Sequence, residues 1–148
     1  MKILIGGDHA GFALKEEIKA HLLGRGIEVI DAGNTVYDAR DDYPDFSIKV
    51  ARGVAAGEAA KGILICGSGV GASIAANKVA GARACLCHDI YSACQGVEHD
   101  DMNILCLGGR IIGGALAIAL VDGFIASEFS REERHQRRLD KVLALEQK

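Results

Sequence analysis

Short apolar runs alternate with helical patterns along the whole chain, and this alternation limits the folds open to it more than any other feature. Ile3-Leu4-Ile5, residues 27–30, Gly62 to Cys66, residues 82–87 and residues 103–107 are runs of strand length that are apolar on both faces. Residues 12–23, 46–56, 70–79, 89–96, 112–126 and 130–146 read as the helices between and after them. Strands apolar on both faces and separated by helices mean a parallel sheet covered on each side. The expectation is one domain over residues 1–148, a three-layer α/β/α sandwich of Rossmann-like kind with a five-stranded parallel sheet. No repeat or linker interrupts it, and a chain of this length can bury a sizeable core without staples.

Composition narrows the function classes. The apolar share is 49% but aromatics supply only 5% and tryptophan none, so the core rests on Val, Ile, Leu and Ala. A net charge of −3 argues against general nucleic-acid binding, which wants a basic footprint. The longest apolar stretch, 111–126, is broken by glycines and by Asp122, so no membrane span is expected. The opening MKILIGGDHAG turns polar too early for a secretory signal. Five cysteines, an odd number without framework spacing, read as reduced thiols and point to the cytoplasm.

In sheets of this kind ligands bind beyond the carboxyl ends of the strands. Gly6-Gly7-Asp8-His9-Ala10-Gly11 follows the first strand, Cys66-Gly67-Ser68-Gly69-Val70-Gly71 ends the third, and Gly108-Gly109-Arg110 follows the fifth. The glycines at 67, 69 and 71 let backbone N–H groups converge on an anion. The start of a helix also favours the ionised form of a nearby thiol, and Cys66 sits just before it. One loop thereby supplies a candidate base and an oxyanion cradle; the alternative is a tight turn with a buried, inert cysteine. The loop also fits G-x-G-x-x-A, but it follows the third strand rather than the first, which makes a nucleotide-binding module the weaker reading.

Other residues carry two readings each. Asp8-His9 is either a ligand pair or a capping aspartate beside an exposed histidine. His99 falls in the polar segment VEHDDMN, read as a loop before the fifth strand, and is either solvated or functional. His21 and His88 read as bland. Arg134 and Arg138, four residues apart with His135 and Arg137 beside them, form a fork for a phosphate or belong to a solvated charged helix. Cys85, Cys87, His88 and Cys94 lack zinc spacing, so no metal site is expected.

Taken together, IGGDHAGFALK, DYPD, ILICGSGVGASIAANK, EHDDMNILCLGGR and RHQRR resemble the ribose-5-phosphate isomerase B family, which includes galactose and allose phosphate isomerases. The resemblance covers essentially the whole chain, in order. It implies strand order 2-1-3-5-4 and aldose–ketose isomerisation of a phosphorylated sugar through a cis-enediolate, without metal or cofactor. Cys66 matches the cysteine that moves the proton. Relatives that use a glutamate instead carry it where this chain has Ala72. Gly67, Ser68, Gly69 and Gly71 match the enediolate cradle, Asp8 the sugar-binding aspartate, and Tyr43 the tyrosine of the DYP motif. His99 matches the ring-opening histidine, and His9, Arg110, Arg134 and Arg138 the phosphate-binding set. The family is dimeric, with sites that borrow residues from the partner, which implies a homodimer (or tetramer) whose C-terminal helix reaches across.

One departure stands out. Asp100 follows His99 where the family usually has asparagine, an extra carboxylate in place of an amide donor. It bears on the substrate more than on the reaction class. The expected activity is ribose 5-phosphate to ribulose 5-phosphate, with a tetrose, allose or galactose phosphate as the alternative substrate.

Overall fold

The computed structural model describes residues 1–147; the last residue of the expected domain lies outside them. Five strands form one sheet: β1 (Lys2–Gly7), β2 (Glu28–Asp31), β3 (Lys61–Cys66), β4 (Ala84–Leu86) and β5 (Ile104–Gly108). Their order is β2-β1-β3-β5-β4 and every pairing is parallel, as the resemblance implied. Six helices surround the sheet: α1 (Phe12–Gly24), α2 (Tyr43–Ala55), α3 (Val70–Ala76), α4 (Ile90–Asp100), α5 (Gly114–Ala126) and α6 (Glu133–Leu143).

The period of two along each strand divides the core into two layers. Ile3, Ile5, Ile63, Ile65, Leu105 and Leu107 face one side and pack under α1, α4 and α5. Leu4, Leu64, Cys66, Ile104 and Cys106 face the other and pack under α2 and α3. Leu120 and Phe124 of α5 are fully buried, and each such side chain contributes about 1.5–3 kcal/mol in removal from water. This alternation aims the Cys66 side chain at the α2–α3 layer, at the carboxyl end of the central strand.

Several boundaries differ from the sequence reading, among them α5 and α6, which begin two and three residues later than expected, and four elements differ for a clear local reason. α2 begins at Tyr43 rather than 46, because Pro44 fits a helix's first turn, where its missing N–H is not needed. α3 stops at Ala76 rather than 79: the Asn77 side chain bonds both backbone groups of Ala84 instead, and Gly81 turns back with φ +88°. β4 holds three residues rather than six and lies at the sheet edge, with Cys85 and Leu86 exposed. α4 runs on to Asp100, because Gly96 packs closely on Met102 within the helix rather than ending it. His99 therefore stands in a helix's last turn and not in a loop.

Candidate active site

The carboxyl edge of the sheet brings most of the predicted residues together. Asp8, Tyr43, Cys66, Gly67, Ser68, Gly71, Arg110 and Ile111 line a cavity of about 380 Å³. Three crossovers build it. β3 delivers Cys66, the turn after β1 delivers Asp8, and the turn after β5 delivers Arg110. The turns are tied to one another: Gly109 N–H donates to the Cys66 carbonyl at 2.8 Å, and Arg110 N–H to the Gly67 carbonyl at 3.0 Å.

Cys66 is buried, and the Gly69 N–H donates to its sulfur across 3.1 Å. Gly69 holds φ +80°, and a Cβ there would come within 2.6 Å of Leu86 Cδ1, so this conformation and this space both require glycine. Gly71 is needed for a different reason: the Tyr43 ring lies where its Cβ would stand, 2.7 Å from the nearest ring carbon. Tyr43 thereby roofs the loop from α2 while staying 40% exposed. The Ser68 hydroxyl is exposed at the mouth of the cavity and accepts from the Val70 N–H.

Asp8 satisfies both of its sequence readings. One carboxylate oxygen accepts from Ala10 and Gly11 N–H at 3.0 and 3.1 Å, fixing the turn into α1, and the residue still lines the cavity. His9 is not a free surface histidine. Its Nδ1 lies 2.7 Å from Asp41 Oδ1, which also accepts from the His9 backbone N–H. Asp41 Oδ2 accepts in turn from the Asn34 side chain at 2.7 Å. Asp8, His9 and Asp41 bring three donor atoms within 4.8 Å of one another. Sequence reasoning missed Asp41 and Asn34. They sit in the polar stretch before Pro44, where nothing in spacing separates an orienting carboxylate from loop solvation.

A second group stands elsewhere. In a parallel sheet a helix that follows one strand runs back toward the start of the next, so the eleven-residue α4 carries His99 and Asp100 roughly 16 Å toward the amino edge. α6 packs against α4 there, with Arg134 and Arg138 exposed on either side of the buried His135. One chain therefore assembles Asp8, His9, Tyr43, Cys66, Gly67, Ser68, Gly69, Gly71 and Arg110 at one edge. It leaves His99, Asp100, Arg134 and Arg138 at the other.

Three of the remaining cysteines, Cys85, Cys87 and Cys106, are pushed toward the thiol form. Burial, with the neighbouring Cys85 and Asp89, pushes Cys87 up to about 11. Burial foremost also pushes Cys106 up, and Cys85, though exposed at the residue level, is raised by the partial desolvation of its thiol and then by Asp100. His88 accepts from the Gly108 N–H at 3.0 Å and steadies the end of β5. His21 joins Asp122 at 2.8 Å, tying α1 to α5, so it is an inter-helix link rather than a bare surface residue.

Comparison with known proteins gives one consistent result. Residues 3–142 match the Ribose/Galactose Isomerase family. The ribose-5-phosphate isomerase B of Escherichia coli (strain K12) is 50% identical over 147 residues, covering 99% of this chain and 97% of that protein. Among solved structures, the ribose-5-phosphate isomerase B of Clostridium thermocellum superposes with a TM-score of 0.95 at 49% identity, covering 99% of this chain and 97% of that one. The enzyme from Mycoplasma genitalium, solved with bound ribulose-5-phosphate, superposes at 0.94 with 42% identity over the same shares.

Proposed function

Because the chain belongs to the ribose/galactose isomerase family, we propose that it interconverts ribose 5-phosphate and ribulose 5-phosphate as an aldose–ketose isomerase. The observation that carries this reading is the Cys66 sulfur receiving the Gly69 N–H inside a cavity shared with Asp8, Ser68 and Arg110. A neighbouring hollow of about 550 Å³, lined by residues from Asp31 to Lys49, is larger but holds no thiol and no part of the glycine-rich loop.

The chemistry follows from the groups at the edge. The Cys66 thiolate removes the C2 proton of the open-chain aldose. The C–H pair forms the C1–C2 double bond, and the carbonyl pair moves onto O1. Backbone N–H groups of the 67–71 loop and the Ser68 hydroxyl stabilise the charge that develops on the enediolate oxygens. The O2 hydroxyl proton passes to O1, the Cys66 S–H returns its proton to C1, and the C2 carbonyl closes the step. Asp8 holds sugar hydroxyls with the carboxylate oxygen that does not cap the turn. Binding energy from the remote phosphate, gathered by His9 and arginines, serves to orient the reacting carbons.

The split between the two edges favours a site completed by a second copy. His99, Asp100, Arg134 and Arg138 of one chain reach the cavity of another, where His99 opens the sugar ring and the arginines take the phosphate. Exposed Val70, Ile74 and Leu86 beside the loop give a second chain apolar surface to cover. Asp100 sets the substrate's ring-side contacts through a carboxylate rather than an amide. Turnover of ribose 5-phosphate by the purified protein, read as ribulose 5-phosphate, tests the activity; tetrose, allose and galactose phosphates run beside it decide the substrate.

A further inference from the structure

We propose that Gln95 is a positioning residue for His99, presenting the imidazole with its Nε2–H outward as the donor to the sugar's ring oxygen. The inference deepens the reading of His99 as the ring-opening group and rests on it.

Gln95 lies one helical turn before His99, so the two side chains share a face of α4. The Gln95 amide nitrogen is 2.9 Å from His99 Nδ1. An amide N–H can only donate, so Nδ1 accepts, and the proton of the neutral ring resides on Nε2. No described residue bonds Nε2, which leaves that nitrogen for the ligand.

The ring plane is fixed independently. His135 of α6 stacks on His99 with centroids 3.9 Å apart and planes 25° from parallel. His135 is itself 2% exposed and anchored through Nδ1 to Ser130 Oγ at 2.6 Å. The Ser130 N–H donates to the Glu98 carbonyl at 2.9 Å, tying the entry of α6 to the last turn of α4. Burial foremost, then the facing His99 ring and Arg134, holds His135 below the ordinary histidine range. One edge and one face of His99 are thus committed to protein, and a single N–H is aimed outward.

Ring opening needs a group of this kind. The C1–O4 bond breaks with its pair going to O4, which the Nε2–H holds by hydrogen bond while a water delivers a proton to it. The C1 hydroxyl loses its proton to water as its O–H pair becomes the C1=O bond. Ribulose 5-phosphate never needs this step, because its O5 is esterified and no five-membered ring can close on C2.

That asymmetry supplies the test. In the full-length protein, Gln95→Met removes the donor and keeps the side-chain length; Gln95→Ala serves as a second variant should the thioether disturb the helix. The expected result is a forward kcat on ribose 5-phosphate lowered about five- to ten-fold, the scale of one neutral hydrogen bond. KM should stay near its original value. Exchange of the C1 hydrogen of ribulose 5-phosphate in heavy water should be unchanged, and ring ¹⁵N shifts of His99 should move away from the Nε2–H form. Loss of forward turnover and exchange in equal measure, or no loss of either while His99→Ala is slow, overturns the inference. If His99→Ala itself turns ribose 5-phosphate over at the original rate, the premise about His99 is wrong rather than the placement of Gln95.

Discussion

The Gly69 N–H donates to the Cys66 sulfur across 3.1 Å, although the two residues belong to different elements, one ending β3 and the other capping α3. The left-handed turn at Gly69 makes this possible. The bond fixes the orientation of the Cys66 sulfur and leaves its other side to the cavity.

Cys66→Ala should leave the fold intact and lower turnover by several orders of magnitude, because it removes the only thiol among the residues lining the cavity. Circular dichroism checks the first half and a coupled assay the second. A variant that keeps near-original turnover would make the thiol filler.

Gly69→Ala should destabilise the protein by about 1–3 kcal/mol, from a strained positive φ and from contact with Leu86 and the Leu107 backbone. Activity should fall further than stability, since the Gly69 N–H would no longer meet the sulfur. Denaturant melts and kcat on the same preparation separate the two effects; a stable, fully active alanine variant contradicts both.

Two inactive variants should rescue each other if the site is shared. If the chains associate in twos, Cys66→Ala and His99→Ala proteins, unfolded together and refolded, pair at random and regenerate about a quarter of the original sites. Recovery to that level is expected. Absence of recovery, with mixed dimers demonstrated by mass, would put both residues in a site built from one chain.

Acid stability should depend on a buried ammonium. Lys15 is 0% exposed and bonds Asp31 and Glu16 at 2.7 Å each, with Lys19 beside it. Burial alone would raise Asp31, but the Lys15 and Lys19 ammonium groups and the Gly33 N–H outweigh it and hold the carboxyl below its usual range. A lowered folded pKa means the unfolded chain binds protons more readily, so this stabilisation is complete above the unfolded value of about 4 and disappears as pH falls through the lower folded value. Tm should therefore drop on acidification in the original protein and less steeply in Lys15→Met. Parallel slopes would remove the network from the account.

Much of this was legible in the sequence because strand-ending glycines and polar residues stand out against apolar runs. Cys66 through Gly71, Asp8 and Arg110 could be placed at one edge by the carboxyl-end rule before any geometry was known. His99 could not. Gly96 and the residues after it read as a helix ending, whereas Gly96 stands inside α4, packed against Met102, and the helix runs four residues further. Asp41 was hidden for the opposite reason, since a carboxylate in an acidic loop has no distinguishing pattern until His9 turns toward it. The stacking of His135 on His99 depends on how α6 crosses α4, which no local signal encodes.

The most direct test of the central claim is proton NMR of ribose 5-phosphate in heavy water with the original protein and with Cys66→Ser. The account predicts ribulose 5-phosphate carrying deuterium at C1 from the original protein, and neither product nor exchange from the variant. Failure of the original protein to form ribulose 5-phosphate, or a serine variant that exchanges as fast as the original, would contradict it.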